Sequence, residues 1–217
     1  MPPTSDQQIL FLVNLQRLLD EGSFVASYRF ALLLALADLC IENGDDSGAP
    51  MAVNTADIAE KFITYYWRQA VPYPSPVETT VLRQNAGKQA AIVNAVRDAR
   101  AAYGDSLPNL MKNMSAWRPL VTRVARVVRE MPLQYLQNVG GERLDFLYGE
   151  AVRVIKLRPG VTYNFRKFHA LISDLVRGAH GSVTCANRIS LCSARRQTLT
   201  SSSSVVSGTV WHWCGPC

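Results

Sequence analysis

Phe30-Ala31-Leu32-Leu33-Leu34-Ala35-Leu36-Ala37-Asp38-Leu39-Cys40-Ile41 is the longest apolar run in the chain, interrupted only by Asp38. A membrane span needs about 20 apolar residues, and this run is shorter. It lies inside Ser23–Asn43, which reads as a helix apolar on most sides. Such a helix belongs at the centre of a core, surrounded by other elements. Its one cysteine, Cys40, is the only cysteine before residue 181 and reads as a small core residue. The fold class that follows is mainly α, a multi-helix globular domain.

The neighbouring stretches supply helices to surround it. Asp6–Glu21 places Ile9, Leu12, Val13, Leu15, Leu18 and Leu19 near one face, and Gly22 ends it. Asn43–Pro50 is a loop by its turn residues. Asn54 or Thr55 caps a third helix, Ala56–Gln69, with Asp57 in the first turn, where the helix dipole favours an acid. Pro72, Pro74 and Pro76 then force an extended connection. Gly87–Tyr103 is a fourth helix. Ser115–Arg129 is a fifth, capped by Ser115, with Trp117, Leu120, Val124, Val127 and Val128 inward and Arg118, Arg123, Arg126 and Arg129 toward the other side. Leu144–Tyr148 and Val152–Leu157 have strand-like composition, and a small β-hairpin over 144–157 is expected. Val161–Arg177 is the last amphipathic helix, stopped by Gly178.

After His180 the composition changes abruptly. Gly181–Cys217 has no Asp or Glu, 12 Ser or Thr in 37 residues, and four of the five cysteines. A GC-rich gene read out of frame gives such a switch. We therefore expect a helical domain over 1–180 and an irregular tail over 181–217, frameshifted or disordered, with a genuine tail as the alternative. Met1–Asp6 carries no basic n-region, so no signal peptide is expected, and nothing suggests a disulfide framework. A reducing cytoplasm is the default location.

The net charge of +6 is unevenly distributed. Residues 1–60 hold 2 basic and 9 acidic side chains; residues 61–180 hold 18 basic and 8 acidic. A basic segment of that length suits a polyanion partner. The plain alternative is that acidic and basic helices lie side by side and their fields cancel.

Several blocks together resemble the N-terminal region of a group of bacterial HNH endonucleases. They include Asn14-Leu15-Gln16-Arg17-Leu18-Leu19-Asp20-Glu21-Gly22, Ile58-Ala59-Glu60-Lys61-Phe62, Tyr66-Trp67-Arg68-Gln69, Val81-Leu82-Arg83-Gln84-Asn85, Arg143-Leu144-Asp145-Phe146-Leu147-Tyr148 and Lys156-Leu157-Arg158-Pro159-Gly160-Val161. The resemblance covers roughly residues 7–179 and stops at the compositional break. It implies a nuclease lineage. The ββα-metal nuclease module that follows in that family has no counterpart here, so no catalytic residue carries over. A divalent metal would be expected only with that module, and no cofactor is assigned to this chain.

Tested directly, the chemistry agrees with that reading. An HNH site needs a His to deprotonate water and further His, Asn or Asp side chains on one divalent metal. The chain has only His169, His180 and His212, and His169 reads as a packed or surface histidine. His212-Trp213-Cys214-Gly215-Pro216-Cys217 has zinc-compatible spacing, but it is half of a knuckle at a chain end, and no metal ligand is assigned. Tyr65-Tyr66-Trp67-Arg68-Gln69 mixes aromatics with a cation and an amide, a chemistry that stacks on bases, although aromatics at helical spacing more often form core. Arg68, Arg83, Lys88, Arg118, Arg123 and Arg126 are the candidate phosphate contacts. The expected function is the DNA-recognition or scaffold region of an HNH-type endonuclease without nuclease activity of its own; the alternative is a non-enzymatic nucleic-acid-binding or regulatory helical module. DNA is the expected partner, with no membrane and no small-molecule cofactor.

Overall fold

The computed structural model describes residues 1–21, 28–71, 91–150 and 152–178. The chain divides at His180 into two units, Met1–His180 and Gly181–Cys217, and every described residue lies in the first. The architecture is mainly α, with two small antiparallel strand pairs. Among the described residues no helix is long and apolar enough to cross a membrane.

Helix α1 (Ser5–Glu21) leads to α2 (Tyr28–Asn43), which occupies the centre as its composition requires. Tyr28, Phe30, Leu32, Leu33, Ala35, Leu36, Ala37, Leu39 and Cys40 are all buried. Each large apolar side chain so buried contributes about 1.5–3 kcal/mol. Strand β1 (Ala52–Asn54) follows, then α3 (Thr55–Trp67), capped by Asn54, whose side chain accepts from the Ala56 amide at 3.0 Å. Next come α4 (Ala91–Tyr103), α5 (Leu107–Lys112), α6 (Met114–Glu130) and the single turn α7 (Pro132–Tyr135). Strands β2 (Asn138–Val139), β3 (Glu142–Arg143) and β4 (Val154–Lys156) precede α8 (Val161–Lys167). Helix α2 is packed against α3, α7 and α8, and α3 lies against α4 and α6.

The strands are arranged differently from the sequence expectation. Within 144–157 the antiparallel contact narrows to one bridge, Tyr148 opposite Leu157. The strand Val154–Lys156 instead pairs with β1, Ala52 opposite Lys156 and Asn54 opposite Val154. Buried Gln137 takes up the backbone of the segment expected as the first strand. Its side-chain oxygen accepts from the Leu147 amide at 2.7 Å, its amide nitrogen donates to the Tyr148 carbonyl at 2.8 Å, and its carbonyl accepts from Leu144 at 3.0 Å. The true hairpin lies earlier, β2 to β3, around Gly140-Gly141 with φ of 57° and 91°. Two consecutive positive φ values are what a two-residue hairpin turn of the right twist demands, and glycine supplies them without strain.

Other corrections are local. On α1 the buried residues are Phe11, Leu15 and Leu18, while Ile9 (60% exposed) and Val13 (48%) face solvent. Phe11 turns the helix, because its ring packs edge-on against Phe146 and Phe165. Helix α6 begins one residue before the expected Ser115, and Ser115 bonds to the Asn113 side chain instead of capping. Val127 sits at the edge of the buried face, which also takes in Ala116, Val121 and Ala125. The last helix is interrupted at Phe168 (φ −108°, ψ 18°) and resumes over 169–178. The expected helix Gly87–Tyr103 is described from residue 91 onward, and the proline connection at 72–76 lies outside the described residues.

The approach of α2 to α8 depends on Gly44. A Cβ there would collide with the Thr162 methyl group and the Cys40 carbonyl. Gly44→Ala should therefore cost about 1–3 kcal/mol of unfolding free energy in urea titration, the range for overpacking a fitted site. The core also predicts an alkaline response. Burial pushes the Cys40 thiol from 9.0 to about 12 and the Tyr28 phenol from 10.0 to about 12. The unfolded chain releases these protons first, so stability present below pH 9 is lost as pH rises toward 12. Each group contributes up to about 1.4 kcal/mol per pH unit inside its window. Denaturation midpoints measured from pH 8 to 11 should fall monotonically once pH 9 is passed.

Candidate nucleic-acid interface

Helix α6 separates its side chains into two faces. Ala116, Trp117, Leu120, Val121, Val124, Ala125 and Val128 are buried against the rest of the domain. Arg118, Thr122, Arg123 and Arg126 are exposed on the opposite side, with Arg129 half-buried at its edge. With Pro119, these five residues line an open depression of about 540 Å³. Arg118 to Arg129 spans eleven residues, or about 16 Å of helix axis at 1.5 Å per residue. Four guanidinium groups thus stand along one helix face, and Glu130 is the one acid that α6 itself carries.

Their surroundings differ. Arg118 and Arg126 make no ion pair among the described residues. Arg123 lies 3.6 Å from Asp98 of α4. Arg129 donates to the Thr55 hydroxyl at 3.2 Å, and that hydroxyl donates to the Arg153 carbonyl at 3.0 Å, so the base of α6 is tied to the start of α3. Thr122 is occupied by its own helix, donating to the Arg118 carbonyl at 2.9 Å. Pro119 lies inside the helix without an amide hydrogen to donate. A row of exposed guanidinium groups offers charge-assisted hydrogen bonds to phosphate oxygens.

Three of the six candidate residues from the sequence, Arg118, Arg123 and Arg126, share this face. Arg68 is exposed at the C-cap of α3 and does not line the depression. Arg83 and Lys88 lie outside the described residues. Arg129 completes the row; its i+3 spacing from Arg126 was the signal for it.

The aromatic cluster beside Arg68 is structural. Tyr66 and Trp67 are 2% and 6% exposed. The Trp67 indole donates to the Asp105 carbonyl at 3.0 Å. Arg100 lies over its ring at 5.0 Å, donating to the Trp67 carbonyl and to the Asp105 carboxylate. Arg100 is thereby spent on the fold. Tyr65 donates to Asp38 at 2.6 Å, and burial together with the Asp38 carboxylate raises its phenol far above the usual range. Asp38 also meets His169 Nε2 at 2.8 Å. His169 is thus a packed histidine joining residues 169–178 to α2, with Tyr65 of α3 on the same carboxylate. Among the described residues no group of three or more His, Cys, Asp or Glu side chains is gathered around a point where a metal could sit. His180, His212 and the cysteines after residue 180 lie outside the described residues. Compared with family models, curated proteins and solved structures, the chain finds no match.

Substitution should separate the two kinds of arginine and aromatic. Arg118→Ala and Arg126→Ala should change unfolding free energy by no more than about 0.5 kcal/mol, as for surface sites without partners. Trp67→Ala should cost about 3–5 kcal/mol, as for a large buried aromatic. A thermal or urea unfolding series of the three variants measures both.

Proposed function

We propose that this chain is a DNA-recognition module that grips the phosphate backbone through the arginine face of α6, of HNH-endonuclease-like lineage and without nuclease chemistry of its own. The observation that carries the reading is the row Arg118, Arg123, Arg126 and Arg129 on one face of a well-packed helix. The basic balance of residues 61–180 extends the same field beyond α6. The lineage rests on the sequence blocks quoted above. A cytoplasmic location accords with a DNA partner and with the reduced, buried Cys40.

Phosphate contacts position a protein on nucleic acid without reading its sequence. Binding should therefore be weakly selective and steeply dependent on salt, because each neutralised phosphate releases counterions. Four contacts imply a log–log slope of about −3.6 and a loss on the order of 10²-fold between about 50 and 200 mM salt. If Arg68, Arg83 and Lys88 also engage, the slope steepens to about −6.3 and the loss approaches roughly 10⁴-fold. Fluorescence anisotropy with a labelled oligonucleotide across a salt series measures the slope. The double variant Arg123→Ala, Arg126→Ala should roughly halve the α6 contribution while leaving the helix folded, since Ala is the better helix former. Salt-independent binding, or an unchanged slope in that variant, would refute the assignment. Incubation with plasmid and Mg²⁺ or Mn²⁺ should give retardation without cleavage. Cutting that survives His169→Ala and His212→Ala would overturn the non-nuclease part.

A further inference from the structure

We propose that Asp98 is a built-in counter-charge on the α6 face, occupying Arg123 until a phosphate takes its place. The inference rests on the DNA-binding reading and adds a regulating residue to it.

Helix α4 lies against α6, and Asp98 is the point where their charges meet. One carboxylate oxygen accepts from Arg97 at 2.9 Å; the other stands 3.6 Å from Arg123. Asp98 is 49% exposed and Arg123 51% exposed at the side chain. Among the described residues, Arg123 is the one member of the α6 row paired with an anion: Arg129 meets a neutral hydroxyl, and Arg118 and Arg126 have no ion pair. A separation of 3.6 Å exceeds the roughly 2.7–2.9 Å of a charge-assisted hydrogen bond. The pair is therefore loose, exposed and easily exchanged. A phosphate oxygen can form the shorter bond that Asp98 does not.

Two effects follow. Asp98 repels a polyanion approaching the α4 side of the row, and it competes for the guanidinium that would bind it. It also holds Arg123 toward α4, so the free protein presents three unneutralised cations where the bound protein uses four. Asp98 thus sets how tightly the face holds phosphate at a given salt concentration.

The test is a double-mutant cycle on the full chain, with a labelled duplex oligonucleotide as probe. Asp98→Asn keeps the shape and removes the charge. It should bind about two- to fivefold tighter at about 50 mM salt, the range for an exposed carboxylate no longer competing for Arg123. The gain should shrink toward 200 mM salt as screening grows. In an Arg123→Ala background the same change should give a clearly smaller gain. Equal unfolding midpoints for Asp98→Asn and the unaltered chain confirm that the fold is intact, and Asp98→Ser provides a second variant. Unchanged or weaker binding by both variants, or a full gain that persists without Arg123, overturns the inference while the DNA-binding reading stands. Absence of binding by the unaltered chain removes both.

Discussion

Helix α2 has to be buried on almost every side, and the rest of the structure follows from that demand. Its buried residues recur at most positions from Tyr28 to Cys40, and water reaches it along a partly exposed strip through Ala31, Leu34 and Asp38. A single layer of helices cannot satisfy it. Helix α3 covers one side, α8 another and α7 a third. Because α2 takes their apolar faces, the covering helices turn their polar sides outward. The close fit at Gly44 and the Tyr65–Asp38–His169 junction fix how two of these neighbours sit. The junction is polar because Asp38 interrupts the apolar run; a half-buried carboxylate is stabilised by hydrogen-bond partners, and it finds two in Tyr65 and His169.

The charge pattern is a second consequence. Helix α6 contributes to the core from one half of its circumference only. The other half is free to carry arginine, and the fold makes no use of Arg118 or Arg126 among the described residues. The contrast with Arg100 and Arg166 is instructive. Arg100 is held by Trp67 and Asp105, and Arg166 by Asp46 and the carbonyls at the end of α2. Those cations are consumed in joining elements. Arg118 and Arg126 are not, so they are available to an outside anion.

The long helices were legible in the sequence because a period of 3.6 residues needs only local information; the short α5 and α7 hold too few residues to show that period. Asn54 as a cap, the apolar α2 and the two faces of α6 were all readable for that reason. The strand at Val154–Lys156 was legible too, within the expected Val152–Leu157, but its pairing was not. Val154–Lys156 has the composition of a strand, but composition does not name a partner, and the partner lies a hundred residues earlier in β1. Gln137 left no trace at all: one glutamine without periodicity gives no sign that its side chain will stand in for a strand. Gly140-Gly141 is a turn signal, but the strands it joins are two residues each, too short to show an alternating pattern. Of the α6 face, Arg118, Arg123 and Arg126 were readable from helical spacing. Asp98 was not, because its meeting with Arg123 depends on how α4 and α6 are placed.

The pairing of β1 with β4 also governs the order in which the protein can assemble. Thr55 and Arg153, hydrogen-bonded across this sheet, are 98 residues apart. Asp38 and His169 are 131 apart. A ribosome adds about 5–20 residues per second. The central helix therefore leaves the exit tunnel on the order of ten seconds before its last neighbours exist. During that interval α2, the most apolar segment of the chain, can pack against α3, the next helix in the chain, while its faces toward α7 and α8 wait for chain not yet made.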